Sequence, residues 1–270
     1  MIIGIDIGST TTKAVSIEEG RVVKKITTRA EDAVTSAAGA FGKMLLENGI
    51  KMPDITRIKI TGVGAANIRG ELFGIPTEKV NEITAIGTGG IFLSGQENIV
   101  ITNIGTGTAI IEARKDKIAH LGGSGIGGGT IIGLAKRLLS LSKIADVLEL
   151  ASSGSHESVD LLLEDIMTGD LSFLNKKTTV SNFAKMLDTA RDEDIALGII
   201  NLVYQVIGMI SVFAARSRNV DKVIVTGSGS HNLLGQKILS EITNLHSIAF
   251  EFPPDAEYTT AIGAGLSAKL

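Results

Sequence analysis

A strand-like apolar run, a short polar side chain and a glycine turn rich in hydroxyls occur together twice in this chain, 97 residues apart. The first copy is Ile2 to Lys13, IIGIDIGSTTTK; the second is Ile101 to Thr108, ITNIGTGT, which follows the apolar run Asn98–Ile101. Asp6 lines up with Asn103, Gly8 with Gly105 and Thr11 with Thr108. In the first copy Ile2–Ile7 reads as a buried strand, Gly8–Thr10 as a tight turn, and Ala14–Ile17 as the returning strand, with Glu19-Gly20 as the next turn. After each loop come a β-like stretch, a polar turn (Glu18–Gly20; Lys115-Asp116) and a further β-like stretch. Such an internal repeat predicts two similar halves. Glycine turns expose backbone N–H groups without a side chain in the way, and the resulting nest binds phosphate oxygens. A carboxylate beside the nest repels phosphate directly but suits a hydrated Mg²⁺. Two ordinary β-turns would also fit either copy alone. Recurrence in the same context favours two phosphate loops that face each other across a cleft and clamp a nucleoside triphosphate.

At 270 residues the chain is long enough for two units of about 130. Hydrophobic residues make up 44%, enough for cores, while 26 basic against 29 acidic side chains give a net charge of −3 and no support for nucleic-acid or anionic-membrane binding. The absence of cysteine excludes disulfides, thiolate zinc sites and iron–sulfur clusters carried by this chain. No apolar run reaches ~18 residues and the N-terminus reads as a strand, so the expectation is a cytoplasmic protein without a transmembrane helix or signal peptide. The 32 glycines cluster, at 4–8, 62–64, 87–90, 105–107, 122–129, 227–229 and 263–265. In an apolar chain that clustering points to ligand loops rather than disorder.

Along the chain, Arg21–Thr28 reads as a third strand and Asp32–Asn48 as a helix stopped by Gly49. Arg57–Thr61 is a short strand, Gly62–Phe73 a helix, and Glu78–Val80 a strand followed by Asn81, Glu82 and a helix from Ile83 to about Leu93. Glycines 87, 89 and 90 weaken that helix intrinsically and imply close packing or approach to a ligand. Residues 95–98 are the boundary between halves, giving domains 1–96 and 97–270. In the second half, strands near 98–103, 108–114 and 117–121 lead into the glycine loop Gly122–Gly129 and a helix over Thr130–Leu141. A glycine loop at a helix N-terminus is an anion site, whereas a flexible linker would lead into polar sequence. Residues 142–192 break the repeat as a helical insertion: short helices at Ser142–Leu150 and Ser158–Ile166, a polar loop at Thr168–Thr179, and a helix near 180–190. Asp192–Arg218 is a long helix, apolar almost all round, which implies burial in the core or against the partner of a homodimer. Lys222–Val225 is a strand that ends in the turn Thr226-Gly-Ser-Gly-Ser-His231-Asn232 before a helix, Leu233–Thr243; a strand at Ser247–Phe250 and a helix at Glu257–Lys269 finish the chain. The sum is an α/β chain with two mixed sheets.

Asp6-x-Gly8 at a hairpin, the loop Asn103-Ile-Gly-Thr-Gly-Thr108 and the strand-end Gly227-Ser-Gly-Ser-His231-Asn232 resemble the superfamily of acetate kinase, sugar kinases, heat-shock chaperones and actin. Adding Glu82 after a short strand, Gly122-Gly-Ser-Gly-Ile-Gly-Gly-Gly129 before Thr130-Ile-Ile-Gly-Leu134, and Ala261-Ile-Gly-Ala264, the chain resembles the type II pantothenate kinases along its whole length. The resemblance implies two ribonuclease-H-like domains, each a mixed five-stranded sheet flanked by helices, with ATP in the cleft between them. It implies ATP-dependent phosphorylation of a small-molecule acceptor, the primary hydroxyl of pantothenate, on the way to coenzyme A.

By the same resemblance Glu82 is the general base that accepts the hydroxyl proton; a carboxylate at that place also suits the dipole of a helix N-terminus. Asp6 would hold Mg²⁺. Gly8, Ser9 and Thr10, then Gly105, Thr106, Gly107 and Thr108, and then Gly127, Gly128 and Gly129, would cradle the phosphates. Lys13 would reach the phosphates or be solvated, and Gly227, Ser228 and Gly229 would approach the nucleoside, with His231 a helix-start residue. Thr106, His120 and Tyr258 would line the acceptor pocket; His120 stands where the family has an arginine, and an imidazole offers no bidentate fork.

The opening IIGIDIGSTTTKAV and Asn81-Glu-Ile-Thr-Ala85 also resemble the ATPase activators of acyl-CoA dehydratases and reductases. Those proteins drive electron transfer from an iron–sulfur cluster, which needs the cysteine thiolates this chain lacks. A third reading is a nucleotide-binding regulator of the same superfamily with no metabolite acceptor. The environment of Glu82 discriminates: open to the cleft for a kinase, paired with a lysine elsewhere for a regulator.

Overall fold

The structure is a computed structural model and describes residues 1–29, 32–167 and 175–268. The first lobe is built from β1 (Ile2–Ile7), β2 (Thr11–Glu18), β3 (Arg21–Arg29), α1 (Ala33–Asn48), β4 (Arg57–Thr61), β5 (Thr77–Lys79) and α2 (Glu82–Ser94). The second runs β6 (Asn98–Ile104), β7 (Thr108–Arg114), β8 (Lys117–Ser124), α3 (Gly128–Leu138), α4 (Ile144–Ala151), β9 (Leu161–Leu162), α5 (Leu163–Ile166), β10 (Thr179–Ser181), α6 (Asp192–Ser217), β11 (Lys222–Thr226), α7 (Leu233–His246), β12 (Ala249–Glu251) and α8 (Thr259–Leu266).

Each lobe carries one five-stranded sheet, ordered β3-β2-β1-β4-β5 in the first and, written in the same direction, β8-β7-β6-β11-β12 in the second. The pairing repeats as well. The three hairpin strands are antiparallel, and the two later strands add in parallel on the far side. These are the two mixed sheets expected from the repeat. The strand β1 is central because Ile3, Ile5 and Ile7 are all buried against α1, where Ala37, Ala40, Phe41 and Met44 complete the core. Asp32 starts α1 by accepting from the amides of Val34 and Thr35, and Asn81 starts α2 in the same way from Ile83 and Thr84.

Two helices join the lobes. The helix α2 covers the second sheet through Ile86, beside Ile99, Ile101 and Ile111, and α8 covers β1 and β2 of the first through Ala261 and Ile262. They cross at backbone distance: a Cβ placed on Gly263 would lie 1.7 Å from the Ala85 carbonyl oxygen, and one on Gly89 would lie 2.0 Å from that of Thr259. The glycines of α2 therefore serve packing, with Gly87 under Ile118 and Gly90 under Ile101.

The second core forms around α6, whose Ile199, Ile200, Val203, Tyr204 and Ile207 are buried among α3, α4 and α7. By length and composition α6 would pass for a membrane span, with mean hydropathy 2.0, but 61% of that stretch is buried inside the protein. Most of its apolar surface is thus used within the lobe, while Phe213 stays 60% exposed.

Three expectations are corrected. Residues 62–73 form a 3-10 turn at Val63–Asn67 and then a bridge between Leu72 and Ile75, not a helix. Gly70, Phe73 and Gly74 all take positive φ, which no right-handed helix tolerates. Nor is there a helix near 180–190: the amides of Lys185 and Met186 donate to Val159 and that of Leu187 to Ser158, so the segment is tied to its neighbour instead of to itself. The strand β8 continues through Ser124, so the glycine-rich segment at 122–129 is half strand. Most of the polar loop expected at Thr168–Thr179 lies outside the described residues.

Candidate active site

The two glycine loops meet. Ser9 Oγ and Thr106 Oγ1 share a hydrogen bond of 2.7 Å across the gap between lobes. Each loop is closed by its own backbone, with the Gly8 amide donating to Thr11 and the Gly105 amide to Gly107. Ser9, Thr10 and Thr106 are exposed at the mouth. A second bond spans the lobes beneath them, where Lys13 Nζ donates to Ser228 Oγ at 2.6 Å. These two bonds bring together four of the sequence-derived groups, at residues 8–10, 13, 105–107 and 228.

Two acids, Asp6 and Glu82, stand beside these loops. Asp6 is the penultimate residue of β1, opposite Lys13 on one side and Thr61 on the other. It is partly buried, and withdrawal from water lifts its pKa from 3.8 to about 6; Lys13 opposes the shift and the nearby charge of Glu82 adds to it. Lys13 is buried in turn, and desolvation lowers its pKa against the pull of Asp6 and Glu257. Glu82 is the first residue of α2, exposed at the rim, with its pKa raised by desolvation. Among the described residues no lysine or arginine pairs with it.

The segment 127–129 plays a different part from the one its glycines suggest. Gly128 and Gly129 donate to the carbonyls of Gly105 and Thr106, and the Gly127 amide to Thr130 Oγ1. The Thr108 hydroxyl likewise donates to the carbonyl of Ile126. In this conformation these groups buttress the second loop instead of presenting free donors. His120 is exposed on β8, opposite Ile111. Tyr258 lies against β3, with its hydroxyl 3.0 Å from Thr27 Oγ1 and its ring among Val15, Ile17, Ala261 and Ile262. No hydrogen bond joins it to Glu82, Thr106 or His120 among the described residues. His231 lies in the turn before α7, near Glu257.

One residue not singled out from the sequence supports the third turn. Tyr204, buried on α6, donates to the carbonyl of Gly229 at 2.7 Å, and its burial raises its pKa to about 12. Thr226 Oγ1 donates to Asn103 Oδ1 at 3.0 Å, tying the end of β11 to the loop of β6. Only the all-round apolar pattern of α6 could have drawn attention to Tyr204.

The fit to a metal follows from the donor set. Among the described residues no three His, Cys, Asp or Glu side chains gather to hold an ion by themselves. Mg²⁺ rarely asks for such a cage; one or two carboxylates plus substrate phosphates and water suffice, and Asp6 fits that need.

The family model described as Fumble matches residues 98–266. The type II pantothenate kinase of Bacillus anthracis is 33% identical over 98% of this chain and 97% of its own. That of Bacillus thuringiensis subsp. konkukian is 32% identical, again over 98% and 97%. Among solved structures, the activator of the 2-hydroxyisocaproyl-CoA dehydratase from Clostridium difficile, with bound ADPNP, superposes with a TM-score of 0.70 at 18% identity, covering 98% of this chain and 92% of that one. A ROK family glucokinase from Streptomyces griseus, in complex with glucose and AMPPNP, gives 0.61 at 15% identity over 98% and 97%. The last two likenesses establish the fold alone.

Proposed function

The chain belongs to the type II pantothenate kinase family, and from that premise we propose how its cleft transfers the γ-phosphoryl group of ATP to the primary hydroxyl of pantothenate. The chain is an ATP-dependent phosphotransferase acting on an alcohol acceptor, as its relatives are. The observation that carries the proposed site is the contact of the two glycine loops through Ser9 and Thr106, with Asp6 and Glu82 beside it.

In the proposed mechanism the loops at 8–10 and 105–107 hold the polyphosphate from opposite sides by backbone N–H groups and hydroxyls, so the γ-phosphorus is fixed relative to the acceptor. Lys13 places positive charge next to the phosphates. Glu82 takes the proton from the acceptor hydroxyl; its pKa, raised by desolvation, brings it nearer to that task at neutral pH. Asp6 would hold Mg²⁺, which when bound neutralises charge on the transferring phosphates. His120 and Thr106 would contact the acceptor. ATP and a small-molecule acceptor are the expected ligands, and the relatives are bacterial metabolic enzymes, consistent with the cytoplasm.

The testing experiment uses labelled ATP with pantothenate. The native chain should yield a labelled product, and Glu82→Gln should keep nucleotide affinity while kcat falls by roughly 10²–10⁴-fold. ATP consumption without any phosphorylated acceptor would favour the regulator reading. Near-native turnover in Glu82→Gln would remove Glu82 from the chemistry.

A further inference from the structure

The two lobes repeat each other beyond their phosphate loops. Thr61-Gly62-Val63-Gly64 leaves β4 as Thr226-Gly227-Ser228-Gly229 leaves β11. Gly62 takes φ +85° and Gly227 φ +82°. A Cβ on Gly62 would lie 2.5 Å from Asp6 Oδ1 and 2.7 Å from the Ile7 carbonyl oxygen. One on Gly227 would lie 2.9 Å from Asn103 Oδ1 and 2.5 Å from the Ile104 carbonyl oxygen. Thr61 pairs with Asp6 in parallel register, as Thr226 does with Asn103, and both threonines are fully buried.

At the hydroxyls the lobes differ. Thr226 Oγ1 donates to Asn103 Oδ1, whereas Thr61 Oγ1 has no hydrogen-bond partner among the described residues. A buried hydroxyl left in that state costs on the order of 1–3 kcal/mol. Thr12 Oγ1 and Ser16 Oγ share the condition, but they stand opposite Ile7 and Ile3, on the sheet face turned toward α1. Of the three, Thr61 alone is in register with Asp6.

We propose that Thr61 is a positioning residue for Asp6: its hydroxyl donates to the Asp6 carboxylate when that group turns to hold Mg²⁺ with the nucleotide, as Thr226 already donates to Asn103. This rests on the reading of Asp6 as the metal-holding acid. A hydroxyl bonded to one carboxylate oxygen fixes the group's rotation and favours its charged form, leaving the other oxygen for the metal or a water on it.

Four proteins test it: the native chain, Thr61→Val, Thr61→Ser and Asp6→Asn. Mg²⁺ is titrated calorimetrically into each as its ADP complex, ADP affinity is measured separately in EDTA, and melting is followed without ligands. Thr61→Val keeps the shape and removes the stranded hydroxyl, so its ligand-free melting temperature should equal or exceed the native value. Its Mg²⁺ affinity should fall about 10-fold or more with ADP affinity in EDTA unchanged, the scale expected for a group behind a metal ligand. Thr61→Ser should keep native Mg²⁺ affinity despite melting lower. Native Mg²⁺ affinity in Thr61→Val, with affinity lost in Asp6→Asn, would overturn the proposal alone. Equal loss in the Val and Ser variants would also overturn it, since packing would then be responsible. Native affinity in Asp6→Asn would overturn the underlying reading and the proposal with it.

Discussion

At the scale of single residues, Asp6 carries the largest consequence. An acid whose pKa is higher folded than unfolded favours the folded state while it is protonated. Its contribution is therefore complete below about pH 4 and is lost as pH rises through about 6, the interval between 3.8 and its folded value. The rise from 3.8 to about 6 corresponds to at most about 3 kcal/mol. Urea melts of the metal- and nucleotide-free protein should show the native chain losing stability relative to Asp6→Asn between pH 4 and pH 7. A constant difference across that range would mean that Asp6 is not desolvated. Asp194 titrates in the opposite sense, held at about 2 by amide and Arg191 hydrogen bonds, so the comparison must be native against variant rather than native alone. The same shift predicts that apparent Mg²⁺ affinity weakens as pH drops below about 6, because a protonated Asp6 binds no metal.

At the scale of elements, the crossing of α2 and α8 is the feature to perturb. A methyl on Gly263 meets backbone, the Ala85 carbonyl at 1.7 Å and the Gly89 amide nitrogen at 2.6 Å, and backbone cannot step aside as a side chain can. Gly263→Ala should cost about 2 kcal/mol or more. Gly39→Ala in α1 is the control: it meets nothing within 4 Å and should stabilise by about 0.5–1 kcal/mol by helix propensity. Thermal melts of the pair read both signs, and a harmless Gly263→Ala would show that the helices can separate without cost. The helix α1, with its Asp32 start and Gly49 stop, and α6, with its long apolar run, were legible in the sequence. The segments 62–73 and 180–190 were not, because their apolar residues sit at helical spacing while their hydrogen bonds go elsewhere. The turn at Leu72–Ile75, with Phe73 and Gly74 at positive φ, closes through the Ile75 amide on Leu72, and the ties to Val159 are long-range contacts that no local window contains.

At the scale of the whole molecule, the repeat of Asp6-x-Gly8 as Asn103-x-Gly105 was enough to anticipate two like sheets and a cleft between them. It was not enough to see that the repeat extends to Thr61-Gly62-x-Gly64 and Thr226-Gly227-x-Gly229, since two glycines one residue apart look like any turn until their strands lie side by side. The chain ends where it began: α8 lies on the first sheet, and α2 on the second. Each lobe is thus completed by a helix from the other half of the sequence, and the two glycine loops meet through Ser9 and Thr106. The role of 127–129 as a buttress follows from the same closeness, because its amides find the carbonyls of the second loop before any ligand does.

The central claim is that both loops grip a single polyphosphate. A crystal structure with a non-hydrolysable ATP analogue and Mg²⁺ tests it directly. The triphosphate should lie between residues 8–10 and 105–107, with the hydrogen bond between Ser9 and Thr106 replaced by bonds from each to phosphate oxygens. A triphosphate bound by one loop only, or outside the cleft with that bond intact, would contradict the account.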